Sequence, residues 1–181
     1  MLSSDTKLDR VKILTPRIHG DHRGFFSEVF REEWLPDFKF VQENLSLSAD
    51  PGTVRGLHYQ EPPMAQDKLV MVLQGAILDV AVDIRTGSPT FGQSVAVELQ
   101  ANSLNQLLVP VGFAHGFCTL QPNTMVLYKV SAPYSPAHDR GILWDDPDLA
   151  IDWPVAPDAA TLSDKDRVQP RLRDIASVFR F

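Results

Sequence analysis

Apolar and polar positions alternate with a period of two along much of the chain. The clearest stretch is Ala76 to Ile84, where Leu78, Val80, Val82 and Ile84 interleave with Asp79, Ala81 and Asp83. That period sends successive side chains to opposite sides of a strand, here one apolar face and one polar face. Val95, Val97 and Leu99 repeat it, and further strand-like runs cover Val11 to Ile18, Phe25 to Arg31, Phe40 to Ser48, Val54 to Gln60, Lys68 to Gln74, Leu104 to Val109, Phe113 to Leu120 and Thr124 to Val130. Glycine, proline and asparagine punctuate the series, as turns require. Many short strands at near-regular spacing predict an all-β sandwich or barrel. Short helical turns are expected near residues 32–37 and, with a serine cap, at Ser163 to Arg167, while the proline- and aspartate-rich tail beyond Pro133 wraps the barrel.

The same alternation sorts candidate side chains by face. Phe26, Glu28 and Phe30 fall together, a carboxylate between phenylalanines that suits a solvated edge or a partly polar cavity equally well. Gln42, Asn44 and Ser46 share another face, where uncharged polar groups suit an oxygen-rich ligand or plain solvent. In Val54-Arg-Gly-Leu-His-Tyr-Gln60 a regular strand would put His58 with Gly56 and Gln60 and turn Arg55 away. Gly56 is the residue able to break that register, because glycine within a strand marks a bulge or a close backbone approach. Arg55 and His58 then face one pocket.

With 181 residues and 44% apolar composition, the chain is expected to form one domain spanning residues 1–181. It holds no apolar run long enough to cross a bilayer, so no membrane partner is expected. The net charge of -6 argues against broad nucleic-acid binding and still allows a local cationic pocket for a phosphorylated small molecule. The single cysteine, Cys118, fits a reducing, cytoplasmic setting.

Among the five histidines, His19, His22, His58, His115 and His138, none forms the close pair of a sequence-local metal site. Gln60 stands where a His-x-His strand would carry its second ligand, and an amide is a poor transition-metal ligand, so no metal is expected. No nucleophile elbow and no glycine-rich phosphate loop occur. Acid and base chemistry remains: His58 titrates near neutrality, Tyr128 is a phenol on a strand, Lys68 is a cation, and Asp166 can orient an imidazole. Tyr128 shares its face with Val126 and Val130, which also suits an ordinary core tyrosine. Arg23, Arg55, His115 and Lys165 can offer a pyrophosphate positive donors, and as scattered basic residues they equally suit the surface.

Taken together, Asp21-His-Arg-Gly24, Gln42-Glu-Asn44, Arg55-Gly-Leu-His58-Tyr-Gln60, Asp79-Val-Ala-Val-Asp-Ile-Arg85, Ser88-Pro-Thr-Phe-Gly92, Gly112-Phe-Ala-His-Gly-Phe117, Tyr128-Lys129 and Ser163-Asp-Lys-Asp166 resemble the dTDP-4-dehydrorhamnose 3,5-epimerase family over nearly the whole chain. The resemblance implies a cupin fold, a double-stranded β-helix or jelly roll with short peripheral helices, acting as a homodimer without metal or organic cofactor. It implies dTDP-4-keto-6-deoxyglucose as substrate, His58 as base, Asp166 as its partner, Tyr128 as acid on the opposite face of the sugar, and Lys68 as the cation that steadies the enolate. Arg23, Glu28, Gln42, Glu43, Asn44, Arg55, His115, Asp139 and Lys165 match positions that bind the nucleotide sugar, and Phe26 and Tyr134 match aromatic pocket positions. Leu45, Met71, Val111 and Pro133 depart from the family's common residues, and none is a proposed catalytic group.

Overall fold

The computed structural model describes residues 1–181. Its strands are β1 (Leu2–Asp5), β2 (Lys12–Thr15), β3 (Ile18–Asp21), β4 (Gly24–Ser27), β5 (Gln42–Ser48), β6 (Val54–Gln60), β7 (Lys68–Gln74), β8 (Ala76–Asp83), β9 (Ser94–Gln100), β10 (Gln106–Val109), β11 (Phe113–Thr119), β12 (Thr124–Val130) and β13 (Asp139–Gly141). One helical turn, α1 (Asp164–Arg167), and two 3-10 turns at Glu32–Trp34 and Leu172–Asp174 complete the elements. No helix is long and apolar enough to cross a membrane.

Six strands pair in the order β1-β2-β10-β7-β12-β5, five in the order β13-β6-β11-β8-β9, and β3-β4 form a separate hairpin. The two large antiparallel sheets lie face to face as the jelly roll of a cupin. Between them Val70, Val72, Leu107, Val109 and Val126 of the first sheet meet Ile77, Ala81, Leu99, Phe113 and Phe117 of the second. Each fully buried side chain of this kind contributes roughly 1.5–3 kcal/mol, so this seam fixes how the sheets face each other. One end of the space between them is polar, and that end is the cleft described below.

Two local departures from the sequence expectations have identifiable causes. The polar face of β8 is not solvated: Asp79 and Asp83 are fully buried. Val80, Val82 and Ile84 pack outward under Ile142, Leu149, Leu172 and Phe179 of the tail, so both faces of the strand are covered. Asp83 is satisfied there by Arg85, Ser88 and Thr90, whose hydrogen bonds outweigh burial and hold its carboxyl down at about 2. The strand expected at 25–31 ends at Ser27, the residue paired with Ile18. One pair further would demand Arg17 and then Pro16, which has no N–H to give a ladder. Phe26 and Phe30 therefore part company, Phe26 staying exposed while Phe30 packs on Leu14, Leu35, Leu69 and Leu108.

The break anticipated at Gly56 is present. Against β11, His115 pairs with His58 but Phe117 pairs with Arg55, so β6 carries one extra residue over that interval. Gly56 has φ of +140°, and a Cβ there would stand 2.5 Å from the Gly116 Cα. Two glycine backbones lie against each other because neither has a side chain, and the local kink turns Arg55 and His58 to the same side.

Candidate active site

A cleft of about 400 Å³ opens between the sheets, lined among others by Arg55, His58, Lys68, His115, Tyr128, Lys165 and Asp166. A second lobe of about 280 Å³ continues from it past Gln42, Asn44, Gln60, Tyr134 and Asp139. His58, Lys68, Tyr128 and Lys165 line both lobes and so form the waist between them. The two walls come from different sheets. Arg55, His58 and His115 rise from β6 and β11, whereas Lys68, Tyr128, Gln42, Asn44 and Ser46 rise from β7, β12 and β5.

His58 reaches Asp166 through Nε2 at 2.5 Å. The approach of Asp166 is built by local pairing: the Val54 N–H donates to the Thr161 carbonyl at 2.9 Å and the Thr161 N–H to Gly52 at 3.0 Å, pinning the segment that leads into α1 beside β6. Ser163 then caps α1, its hydroxyl accepting from the Asp166 N–H at 3.2 Å. Burial of Asp166 would raise its pKa, but hydrogen bonds from His58, Ser163 and the Gly56 backbone outweigh it and hold the carboxyl below its usual value. An ionised carboxylate can only accept, so the hydrogen in this contact sits on His58 Nε2 and leaves Nδ1 as the basic nitrogen.

Lys68 lies 8% exposed, with Nζ donating to the His58 carbonyl at 3.2 Å. Burial pulls its pKa down to about 8, against the opposing pull of Asp139 and Asp79. Burial also raises the Tyr128 phenol above its ordinary value, only partly countered by Arg55, so it is a proton donor at neutral pH. Arg55 is braced by its Nε on Ser48 Oγ at 3.3 Å and by Nη2 on the Leu47 carbonyl at 3.2 Å. On the rim, Lys165 is ion-paired with Asp139, and the Tyr134 hydroxyl donates to the same carboxylate at 3.2 Å. Gln42 donates to Asn44 at 2.7 Å and accepts from the Tyr134 N–H at 3.1 Å.

His58, Tyr128, Asp166, Lys68, Gln42, Asn44, Arg55, His115, Tyr134, Asp139 and Lys165 thus gather at one place. Four expected site residues do not. Glu43 points to the outer face of β5, half-exposed and paired with Lys129, because strand alternation that turns Gln42 and Asn44 inward must turn Glu43 out. Arg23, Phe26 and Glu28 belong to the β3-β4 hairpin and its exit, away from this chain's cleft. There Arg23 pairs with Asp21 at 2.6 Å, Glu28 with Arg31 at 3.0 Å, and Phe26 is 67% exposed.

One residue at the site was not singled out from the sequence. Asp79 Oδ1 lies 2.7 Å from His115 Nε2, giving a second histidine on a buried carboxylate, and its other oxygen, Oδ2, has no protein partner. An aspartate in the middle of an otherwise apolar strand was the available signal.

Residues 5–174 match the family model described as dTDP-4-dehydrorhamnose 3,5-epimerase. A protein of that name from Sinorhizobium fredii is 51% identical over 185 residues, covering 100% of this chain and 94% of the relative. Among solved structures, the dTDP-4-dehydrorhamnose 3,5-epimerase of Bacillus anthracis with TDP and PPi bound superposes with a TM-score of 0.90 at 52% identity, covering 94% of this chain and 98% of the other. A dTDP-6-deoxy-D-glucose-3,5-epimerase from Legionella pneumophila, in complex with dTDP-4-keto-L-rhamnose, gives a TM-score of 0.93 at 44% identity over 99% and 98% of the two chains.

Proposed function

Because the chain belongs to the dTDP-4-dehydrorhamnose 3,5-epimerase family, we propose that its cleft binds dTDP-4-keto-6-deoxy-D-glucose and inverts C3 and C5 to give dTDP-4-keto-L-rhamnose. The observation that carries the reading is the division of acid and base between two sheets, with His58 and Asp166 on one wall and Tyr128 and Lys68 on the other. Both C3 and C5 lie next to the C4 ketone, so each loses its proton to give an enolate with charge on the same oxygen. One cation therefore serves both steps, and Lys68 is that cation. His58 Nδ1 removes the proton while Asp166 holds the Nε2–H and so orients the ring. Tyr128 returns a proton from the facing wall, and return from the opposite side is what changes configuration. No step calls for a metal or an organic cofactor.

Arg55, His115 and Lys165 supply the cationic donors for the pyrophosphate, an arrangement that gives an acidic protein a locally positive pocket. Gln42, Asn44, Asp139 and Tyr134 border the lobe left for the nucleoside. The test is incubation with dTDP-4-keto-6-deoxyglucose in deuterium oxide, following C3 and C5 by NMR. Deuterium entry and inversion at both carbons are expected, before and after exhaustive dialysis against chelator. His58→Ala should abolish deuterium entry at both positions. Inversion at C3 alone would convert the assignment to a 3-epimerase of a related keto sugar, and rescue of dialysed enzyme by a divalent metal would overturn the metal-free mechanism.

We further propose that the 181 residues act as one domain in a homodimer, in a reducing cytoplasmic setting that suits the buried thiol of Cys118. Leu45 and Leu47 of β5, with Leu73 of β7, leave apolar side chains exposed on the outer face of the six-stranded sheet. The hairpin bearing Arg23 and Phe26 likewise leaves two aromatic rings, Phe25 and Phe26, in solvent. In the dimer the hairpin of one subunit completes the cleft of the other, which accounts for Arg23, Phe26 and Glu28 lying outside their own. Subunit exchange between inactive His58→Ala and Arg23→Ala proteins should then restore about a quarter of parental activity, since half the dimers are mixed and each regains one intact cleft of two. Sedimentation as a monomer, or no recovery on mixing, would refute this arrangement.

A further inference from the structure

Gln60 ends β6 with its side chain buried, and both ends of its amide are engaged. Nε2 donates to the carbonyl oxygens of Met64 at 2.6 Å and Pro133 at 3.1 Å, while Oε1 accepts from the Ser135 N–H at 2.7 Å. Pro133 and Ser135 are the two neighbours of Tyr134 in the chain, and Met64 lies in the loop before β7. One side chain therefore ties the loop before β7 to the loop after β12, and these loops contribute Gln66 and Tyr134 to the lining of the second lobe. Tyr134 needs such a tie. Its ring is 58% exposed and packs in none of the hydrophobic clusters, and its one side-chain hydrogen bond is the 3.2 Å contact to Asp139. The place of the ring is consequently set by its backbone, which Gln60 holds on both flanks and Gln42 holds at the Tyr134 N–H.

We infer that Gln60 is a positioning residue for nucleotide recognition, fixing the 133–135 loop so that the Tyr134 ring stands as a wall for the flat base at the rim of the second lobe. The inference rests on the reading of that lobe as the nucleoside site. The chemistry selects glutamine: a planar amide offers two donors and an acceptor, whereas a glutamate of the same shape has no donor when ionised and would face two carbonyl oxygens. This also gives residue 60 a task of its own at the position where a metal-binding barrel would place a histidine.

Calorimetry with two probes, dTDP and inorganic pyrophosphate, tests it on the full-length protein and on Gln60→Glu, Tyr134→Ala and the double variant. Gln60→Glu is expected to weaken dTDP about tenfold, with pyrophosphate affinity changed less than about twofold, and to raise KM more than it lowers kcat. In the Tyr134→Ala background the same change should cost little more, because the ring it positions is gone. Unchanged dTDP affinity, equal losses for both probes, or losses that add fully with Tyr134→Ala would each overturn the inference. If Gln60→Glu does not fold, Gln60→Met keeps the length, leaves the Ser135 N–H without its partner, and is held to the same outcomes. A parent protein that binds pyrophosphate but not dTDP would instead overturn the nucleoside reading and the inference with it.

Discussion

His58 and His115 stand directly opposite each other on β6 and β11, and each rests on a buried carboxylate through Nε2, His58 on Asp166 at 2.5 Å and His115 on Asp79 at 2.7 Å. Two imidazoles thus line one wall, each with Nδ1 as its unbonded ring nitrogen. Their carboxylates differ in origin. Asp166 arrives from α1 in the tail, whereas Asp79 belongs to the sheet itself and also raises the Lys68 pKa from below.

That double duty makes Asp79 testable. Asp79→Asn keeps the shape and removes the charge, so Lys68 loses part of what favours its protonated form. The alkaline limb of the kcat profile should move to lower pH, and dTDP affinity should fall as His115 loses the carboxylate that holds its ring in place. A pH profile identical to the parent's would show that Asp79 serves packing alone.

On the proposed mechanism, Lys68 should set the alkaline limit in the parent. Because burial brings its pKa to about 8, the cation that meets the enolate is lost as pH rises through that value, and kcat should decline there. Stability runs the other way. The folded pKa lies below the ordinary 10.5, so between about 8 and 10.5 the unfolded chain binds more protons and the folded state gains stability with rising pH. Lys68→Met should accordingly cut turnover by roughly 10²–10³ while stabilising the fold at pH 7 by roughly 1–3 kcal/mol. Urea titration and steady-state rates measure both, and near-parental turnover would remove Lys68 from the mechanism.

Tyr128→Phe deletes the phenol and keeps the ring that packs beside the core cluster containing Val126. His58 and Lys68 still form the enolate, so recovered substrate should carry deuterium without inversion while epimerised product falls by about 10²–10⁴. The ratio of exchange to inversion is the measurement. If exchange and inversion fall in step, the opposite-face proton comes from another group, and Tyr134 is the next to examine.

Gly56→Ala should damage the site from underneath. Its φ of +140° and the 2.5 Å approach of a Cβ to Gly116 leave no room for a methyl group, and the obstacle is backbone. A loss of roughly 2–4 kcal/mol is expected from urea unfolding, with turnover falling further than the folded fraction does, since Arg55 and His58 share a wall only through this kink. Turnover that merely tracks the folded fraction would detach the kink from the site.

Much of this was legible because period two is a local signal. Gln42, Asn44 and Ser46 turn inward together as the alternation requires, Gly56 breaks β6 where a strand glycine should, and Ser163 caps α1. What the alternation could not supply is what covers each face. Asp79 and Asp83 read only as a polar face, yet one meets His115 and the other an arginine and two hydroxyls, all contributed by distant or looped segments. Gln60 read as an absent metal ligand because its partners, Met64, Pro133 and Ser135, lie in loops without periodicity. Phe26 and Phe30 part company because the β3-β4 ladder ends at the Ile18–Ser27 pair, two residues short of Pro16 in the segment before β3.

The two walls of the cleft belong to separate hydrogen-bonded ladders joined by an apolar seam, and this has an evolutionary consequence. On the proposed division of acid and base, changes on β12 or β7 can retune or silence proton delivery to one face of the sugar without disturbing the ladder that seats His58, and changes on β6 or β11 can do the converse. A lineage can therefore pass from inverting two carbons to inverting one, or to exchanging hydrogen alone, by substitutions confined to one sheet, with a folded and ligand-binding protein at every intermediate.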